Sequence, residues 1–111
     1  DLYERGLNQE VLIVAMGEFG RTPRMNKTAG RDHWGRLMSV LMAGGNLRMG
    51  QIIGSSNNKG EVPKDNPYRP ENVIATMYQH LGINPGTTIS DFTGRPRYLL
   101  ENRRVIKELL S

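Results

Sequence analysis

A chain of 111 residues with 37% hydrophobic residues and 13 glycines is long enough for one domain with a real core and too short for a second. Counting glycine as apolar brings it close to the ~45–50% of folded domains, which excludes a disordered chain, and the lack of cysteine excludes disulfides, zinc–thiolate sites and thiol nucleophiles within these residues. The net charge of +4 and pI of about 9.8 suit an anionic partner, but only Arg103 and Arg104 are adjacent cations, and the aromatics do not interleave with basic runs, so a nucleic-acid-binding domain is the weakest functional reading.

Asp1 to Asn8 reads as the tail of a helix stopped at Gly6. The chain begins on Asp1 in mid-pattern, which is expected of a portion of a longer protein. Val11 to Met16 is a continuous apolar run with two valines and an isoleucine, the pattern of a short strand covered on both faces. It breaks at Gly17 and Gly20, which bracket Glu18-Phe19, and Thr22-Pro23 keeps the chain extended beyond the turn. Lys27 to Arg36 is a polar loop. Leu37 to Ala43 reads as a second buried strand ending in Gly44-Gly45, and Gln51 to Ile53 as a short third one.

Asn57 to Tyr68 carries Gly60, Pro63 and Pro67 among charges and reads as an exposed loop. Pro70 to Leu81 is the clearest helix: Pro70 suits its first position, Glu71 suits its positive end, and Gly82 stops it. Val73, Ile74, Met77, Tyr78 and Leu81 recur on one helical face. Gly86 to Arg97 is expected to be irregular, with a turn at Thr93-Gly94, where Asp91 and Arg95 could pair. Asn102 to Leu110 reads as a second short helix capped by Asn102. No apolar run approaches the ~18 residues of a membrane-spanning helix. Strands mixed with helices place the chain in the α/β class.

The chemistry concentrates where the first strand ends. Glu18 could ligate a metal, act as a base, or pair with Arg21. Asp32 and His33 could both reach one metal, or Asp32 could orient the imidazole. Arg21, Arg24 and Arg31 suit a phosphate or sulfate, because a guanidinium matches such oxyanions bidentately. The bland alternatives are a structural Glu–Arg pair, a hydrogen-bonded loop histidine beside a packed Trp34, and, for His80, simple helix packing.

Gly17-Glu18-Phe19-Gly20-Arg21-Thr22-Pro23, then Gly30-Arg31-Asp32-His33-Trp34, then Leu41-Met42-Ala43-Gly44-Gly45 resemble the C-terminal part of the bacterial domain-of-unknown-function family 1501. Pro70 to Ile83 and Asp91 to Pro96 continue the likeness, which spans nearly the whole chain. That family is sulfatase-like, within the alkaline phosphatase superfamily. The resemblance implies that residues 1–111 are the C-terminal portion of one three-layer α/β/α domain. Members of the superfamily hydrolyse phosphate or sulfate esters with a hydroxyl-type nucleophile and one or two divalent metals, here Zn, Ca or Mn. By position, Glu18 and His33 would be metal ligands, Asp32 is added by local inference, and Arg21 and Arg31 would stabilise the transferred group. Phe19 stands where the superfamily has a strand-end histidine. The nucleophile and the remaining ligands would lie in an N-terminal part of the same protein, and the chain alone would be inactive. The implied substrate is a small-molecule or glycan ester, and the implied location periplasmic or secreted. The alternative is a catalytically inactive envelope or secreted binding module on the same fold.

Overall fold

A computed structural model describes residues 1–110, which divide into two compact units at the Pro67–Tyr68 junction. In the first unit the apolar run forms β1 (Leu12–Ala15). It pairs antiparallel with β4 (Leu41–Gly44), with Leu12 opposite Gly44 and Ala15 opposite Leu41. Between them lie β2 (Gly20–Arg21) and β3 (His33–Trp34), which pair with each other. β5 (Ser55–Ser56) and β6 (Pro63–Asp65) form a third two-stranded ladder.

The expected Gln51–Ile53 strand is not formed; Ile52 is fully exposed, and the pairing starts two residues after Ile53, at Ser55. The expected exposed loop 57–68 in turn contributes β6. The second strand is also shorter than expected, because residues 37–40 make no ladder.

β1 was expected to be covered on both faces. The register puts Ile13, Ala15, Leu41 and Ala43 on one face and Leu12, Val14 and Met42 on the other. The second set is half-buried, whereas Ile13 and Leu41 are 44% and 60% exposed. The strand is apolar on both sides, but these residues cover only one of them. At the end of β4, Gly44 has a φ of 77°, and a Cβ there would meet the Val11 carbonyl oxygen at 2.5 Å. Gly45 next to it donates to the carbonyls of both Asn8 and Val11, which ties the start of β1 to the end of β4. Asp1–Leu7 makes turns that close as a helix end would, with Leu7 donating to the Leu2 carbonyl and Gly6 at φ 70°.

The second unit is built on α1 (Pro70–His80). As expected, Pro70 opens it and Gly82 ends it, in a Schellman turn where Ile83 donates to the Tyr78 carbonyl and Gly82 to that of Gln79. Its inward face is the expected one only in part: Val73 is buried and Met77 and Tyr78 are half-buried, but the face is turned toward the polar residues. Asn72, Val73, Ala75 and Thr76 are buried, while Ile74 and Leu81 are exposed. β7 (Thr88–Ser90) and β8 (Pro96–Tyr98) turn the expected irregular segment into a hairpin, with its turn at the expected place. There Asp91 bonds the Arg97 guanidinium at 3.1 Å, and Arg95 contributes its backbone N–H instead of its side chain.

Residues 102–110 are not the expected helix; only a single 3₁₀ turn forms, at Lys107–Leu109. A helix needs each N–H to reach a carbonyl four residues back. Here the Ile106 N–H donates to the Thr76 hydroxyl, the Arg104 N–H to Asn102 Oδ1, and the Arg104 carbonyl accepts from Asn72 Nδ2. The buried polar row of α1 thus satisfies the backbone of an extended segment, whose Ile106 and Leu109 complete a core with Val73, Ala75 and Leu100. Among the described residues no helix is long and apolar enough to cross a membrane.

Candidate functional site

The site stretch is organised by the β2–β3 ladder. Gly20 lies opposite Trp34, and Arg21 opposite His33. Residues directly opposite in an antiparallel pair have their side chains on the same face, so Arg21 and His33 share one. The segment that follows β3 passes close over β2 because position 20 is glycine: a Cβ there would lie 1.8 Å from the Leu37 carbonyl oxygen. Trp34, on the other face, is half-buried and donates its indole N–H to the Glu61 carbonyl at 2.7 Å. That bond ties the ladder to the β5–β6 hairpin, whose Asn57, Asn58, Lys59, Glu61 and Lys64 line an open concavity of about 400 Å³.

Residues 22–32 form a loop closed on itself. Thr22 and Asp32 continue the ladder: the Thr22 N–H donates to the Asp32 carbonyl, and the Asp32 N–H to the Thr22 hydroxyl. Arg31 Nη1 donates to the carbonyls of Thr22 and Pro23 at 2.8 and 2.7 Å. Arg21 Nη1 reaches the Arg31 carbonyl at a longer 3.3 Å. Arg31 is therefore a clip across the loop with part of its donor fork used, whereas Arg21 is bound only loosely.

Asn26 is the hub of the loop. Its Oδ1 accepts from the Thr28 N–H, the Thr28 hydroxyl and the Gly30 N–H, and its Nδ2 donates to Asp32 Oδ1 at 3.0 Å. Asp32 thus bonds Asn26 and not the imidazole next to it in sequence, and alternation sets it on the face opposite His33. Glu18, Arg21, Arg31, Asp32 and His33 are all exposed. No ion pair joins Glu18 to Arg21, and among the described residues no three His, Asp or Glu side chains gather as a metal shell. The ring of Phe19 packs on His33, with centroids 4.0 Å apart and planes at 37°. Arg21 Cζ lies 5.7 Å from the same Phe19 ring.

Sequence reasoning missed Asn26 and the part played by Phe19. An Asn-Lys-Thr stretch is a recognisable Asx-turn signal, since asparagine readily bonds the backbone two residues on. Nothing local in the sequence marks Phe19 as a ring partner for a residue 14 positions away. His80 is half-buried in the last turn of α1.

The sequence matches the family described as "Protein of unknown function (DUF1501)" over residues 1–110. The chain belongs to that family. No curated protein and no solved structure matches it. In this DUF1501 chain the Gly17–Pro23 and Gly30–Trp34 motifs are thus the two strands of one ladder and the ends of the loop that joins them.

Proposed function

We propose that the chain is the C-terminal portion of a sulfatase-like, alkaline-phosphatase-like hydrolase of phosphate or sulfate esters, with its candidate site on the β2–β3 ladder. The observation that carries the reading is the placement of Arg21 directly opposite His33, at the end of the stretch that leaves β1. A guanidinium and an imidazole on one exposed face suit an oxyanion and a cation side by side. The apolar composition of both faces of β1–β4 supports the three-layer α/β/α fold, in which a further layer would cover Ile13 and Leu41.

Glu18 and His33 have the right donor chemistry for part of a divalent-metal shell, of Zn, Ca or Mn. The described residues do not assemble a complete one, so the remaining ligands and the nucleophile come from other residues of the parent protein. A bound divalent metal would polarise the ester and stabilise charge on the transferred group. The residues of this chain would do the rest. Arg21 binds the oxyanion, Arg31 holds the loop closed and offers its remaining donors, and Asp32 keeps its place through Asn26. A periplasmic or secreted location accompanies this reading.

The test is turnover of aryl phosphate and aryl sulfate by the parent protein with Zn²⁺, Ca²⁺ or Mn²⁺, in wild type and Arg21→Ala. Loss of an oxyanion donor of this kind lowers turnover about 10²–10³-fold; equal turnover in both would overturn the role of Arg21. A second reading, an inactive module that binds a glycan or anion, is favoured by the exposed Arg21 and His33 beside the half-buried Phe19 ring. Tight glycan binding without turnover would select it.

A further inference from the structure

The connection between β5 and β6 is built on Asn57. The Gly60 N–H donates to the Asn57 carbonyl at 3.0 Å, with Gly60 at a φ of 66°, and the Asn57 N–H donates to the Val62 carbonyl. Asn57 Oδ1 accepts from the Glu61 and Val62 N–H groups at 2.8 and 3.4 Å. The Glu61 carbonyl in turn accepts from the Trp34 indole. The backbone around the 400 Å³ concavity is thus held, and the volume falls within the ~300–1,000 Å³ of small-molecule sites.

The side chains that line it are unspent. Asn57 is half-buried, and with its oxygen engaged its Nδ2, which carries two N–H donors, has no partner among the described residues. The Lys59 and Lys64 ammonium groups and the Glu61 carboxylate likewise make no ion pair or hydrogen bond among the described residues. Asp65 does not compete for Lys64: it takes the Ser55 hydroxyl at 2.8 Å and lies on the other face of β6. Two ammonium groups against one carboxylate leave the lining positive, so it suits an oxyanion. The carboxylate can only accept, so it needs a hydroxyl donor beside that oxyanion.

We infer that this concavity binds the phosphate or sulfate monoester of a sugar. Lys59, Lys64 and Asn57 Nδ2 hold the ester oxyanion, and Glu61 accepts from a neighbouring sugar hydroxyl. None of the lining residues belongs to the β2–β3 ladder. The inference therefore stands apart from the hydrolase reading.

The test is a titration of the parent protein with glucose 6-phosphate, glucose 6-sulfate, inorganic phosphate, inorganic sulfate and glucose. Binding is followed by NMR at the Asn57 and Asn58 side-chain amides and the backbone amides of 59–64, with the esters confirmed intact by their own signals. Wild type is compared with the double variant Lys59→Ala/Lys64→Ala and with Glu61→Ala. These side chains hold nothing in the fold, so the amide spectrum elsewhere stays unchanged. In wild type the Asn57 Nδ2 protons shift on binding, and at least one ester binds about threefold or more tighter than its inorganic ion and than glucose. The double variant binds that ester at least about fivefold more weakly, the scale of two exposed charge contacts. Glu61→Ala binds the inorganic ion at least as tightly as wild type, while the preference for the ester disappears. The phosphate and sulfate arms tell which ester the site takes. No shift at these amides with either ester, or equal ester affinity in wild type and the double variant, would overturn the site. Equal affinity for ester and inorganic ion in wild type, or a preference that Glu61→Ala leaves intact, would overturn the sugar-ester class. Turnover in wild type and Arg21→Ala is a separate readout, so failure of this site and failure of the hydrolase reading are told apart.

Discussion

Replacing Gly20 by alanine tests whether close backbone approach builds the candidate site. The new Cβ would lie 1.8 Å from the Leu37 carbonyl oxygen, 2.9 Å from its carbon and 3.2 Å from the Trp34 oxygen. Carbon–oxygen contacts normally settle at about 3.3–3.6 Å, so roughly 1.5 Å of movement is needed. The obstacle is backbone, which cannot rotate aside as a side chain would. Overpacking of this kind destabilises by about 1–3 kcal/mol, and a backbone obstacle puts it near the upper end. The lower chain entropy of alanine offsets about 0.5–1 kcal/mol of that, leaving a net loss of about 2 kcal/mol. Gly35 is the control, since nothing lies within 4 Å of its hypothetical Cβ; Gly35→Ala should be neutral or stabilising by up to about 1 kcal/mol. The protein's single tryptophan, Trp34, is itself in the ladder, so its fluorescence in a urea titration reports on this unit. Equal urea midpoints for Gly20→Ala and Gly35→Ala would refute the reasoning.

Two further outcomes follow from the second unit. Asn72→Ala removes the bonds that its Nδ2 donates to Asn102 Oδ1 and the Arg104 carbonyl and the one that its Oδ1 accepts from the Arg69 N–H; at about 1 kcal/mol each it should destabilise by about 2–4 kcal/mol, and unchanged thermal unfolding by circular dichroism would contradict the polar docking of residues 102–106. The Thr93 hydroxyl first, then the Arg95 N–H and the Arg97 guanidinium, hold the Asp91 carboxyl down at about 2, against an ordinary 3.8. Because the folded value is the lower one, the hairpin gains stability from Asp91 above about 3.8 and loses it as pH falls through about 2. The Thr93 and Arg95 amide signals should therefore move only near pH 2, and a midpoint near 3.8, seen by NMR, would show the turn unformed.

What could be read in advance was local. Pro70, Glu71 and Gly82 delimit α1 because caps act within one turn, and Val11–Met16 contains β1 because the apolar run is unbroken. The Thr93-Gly94 turn was legible for the same reason. Residues 102–110 misled because Val105, Ile106 and Leu109 carry a helical spacing, yet Thr76 and Asn72 capture the backbone bonds a helix needs. That capture depends on a segment about 30 positions away, which no local pattern reveals. The inward face of α1 is legible only in part for the same cause: Val73 is inward as its spacing predicts, but Asn72 and Thr76 read as surface residues until their partners are placed.

At the site, residue types announced themselves, but their arrangement did not. Strands of two residues have no periodicity to read, so the pairing of Arg21 with His33 was invisible, as was the separation of Asp32 from His33. Asp32 and His33 look like one unit in sequence; alternation sends them to opposite faces.

The central claim is that His33, presented beside Arg21, holds part of a divalent-metal site. Equilibrium dialysis of the parent protein against Zn²⁺, Ca²⁺ and Mn²⁺, wild type beside His33→Ala, tests it most directly. The variant is expected to bind one of these ions at least about tenfold more weakly, the scale on which metal-site substitutions act. Equal stoichiometry and affinity for all three ions would contradict it.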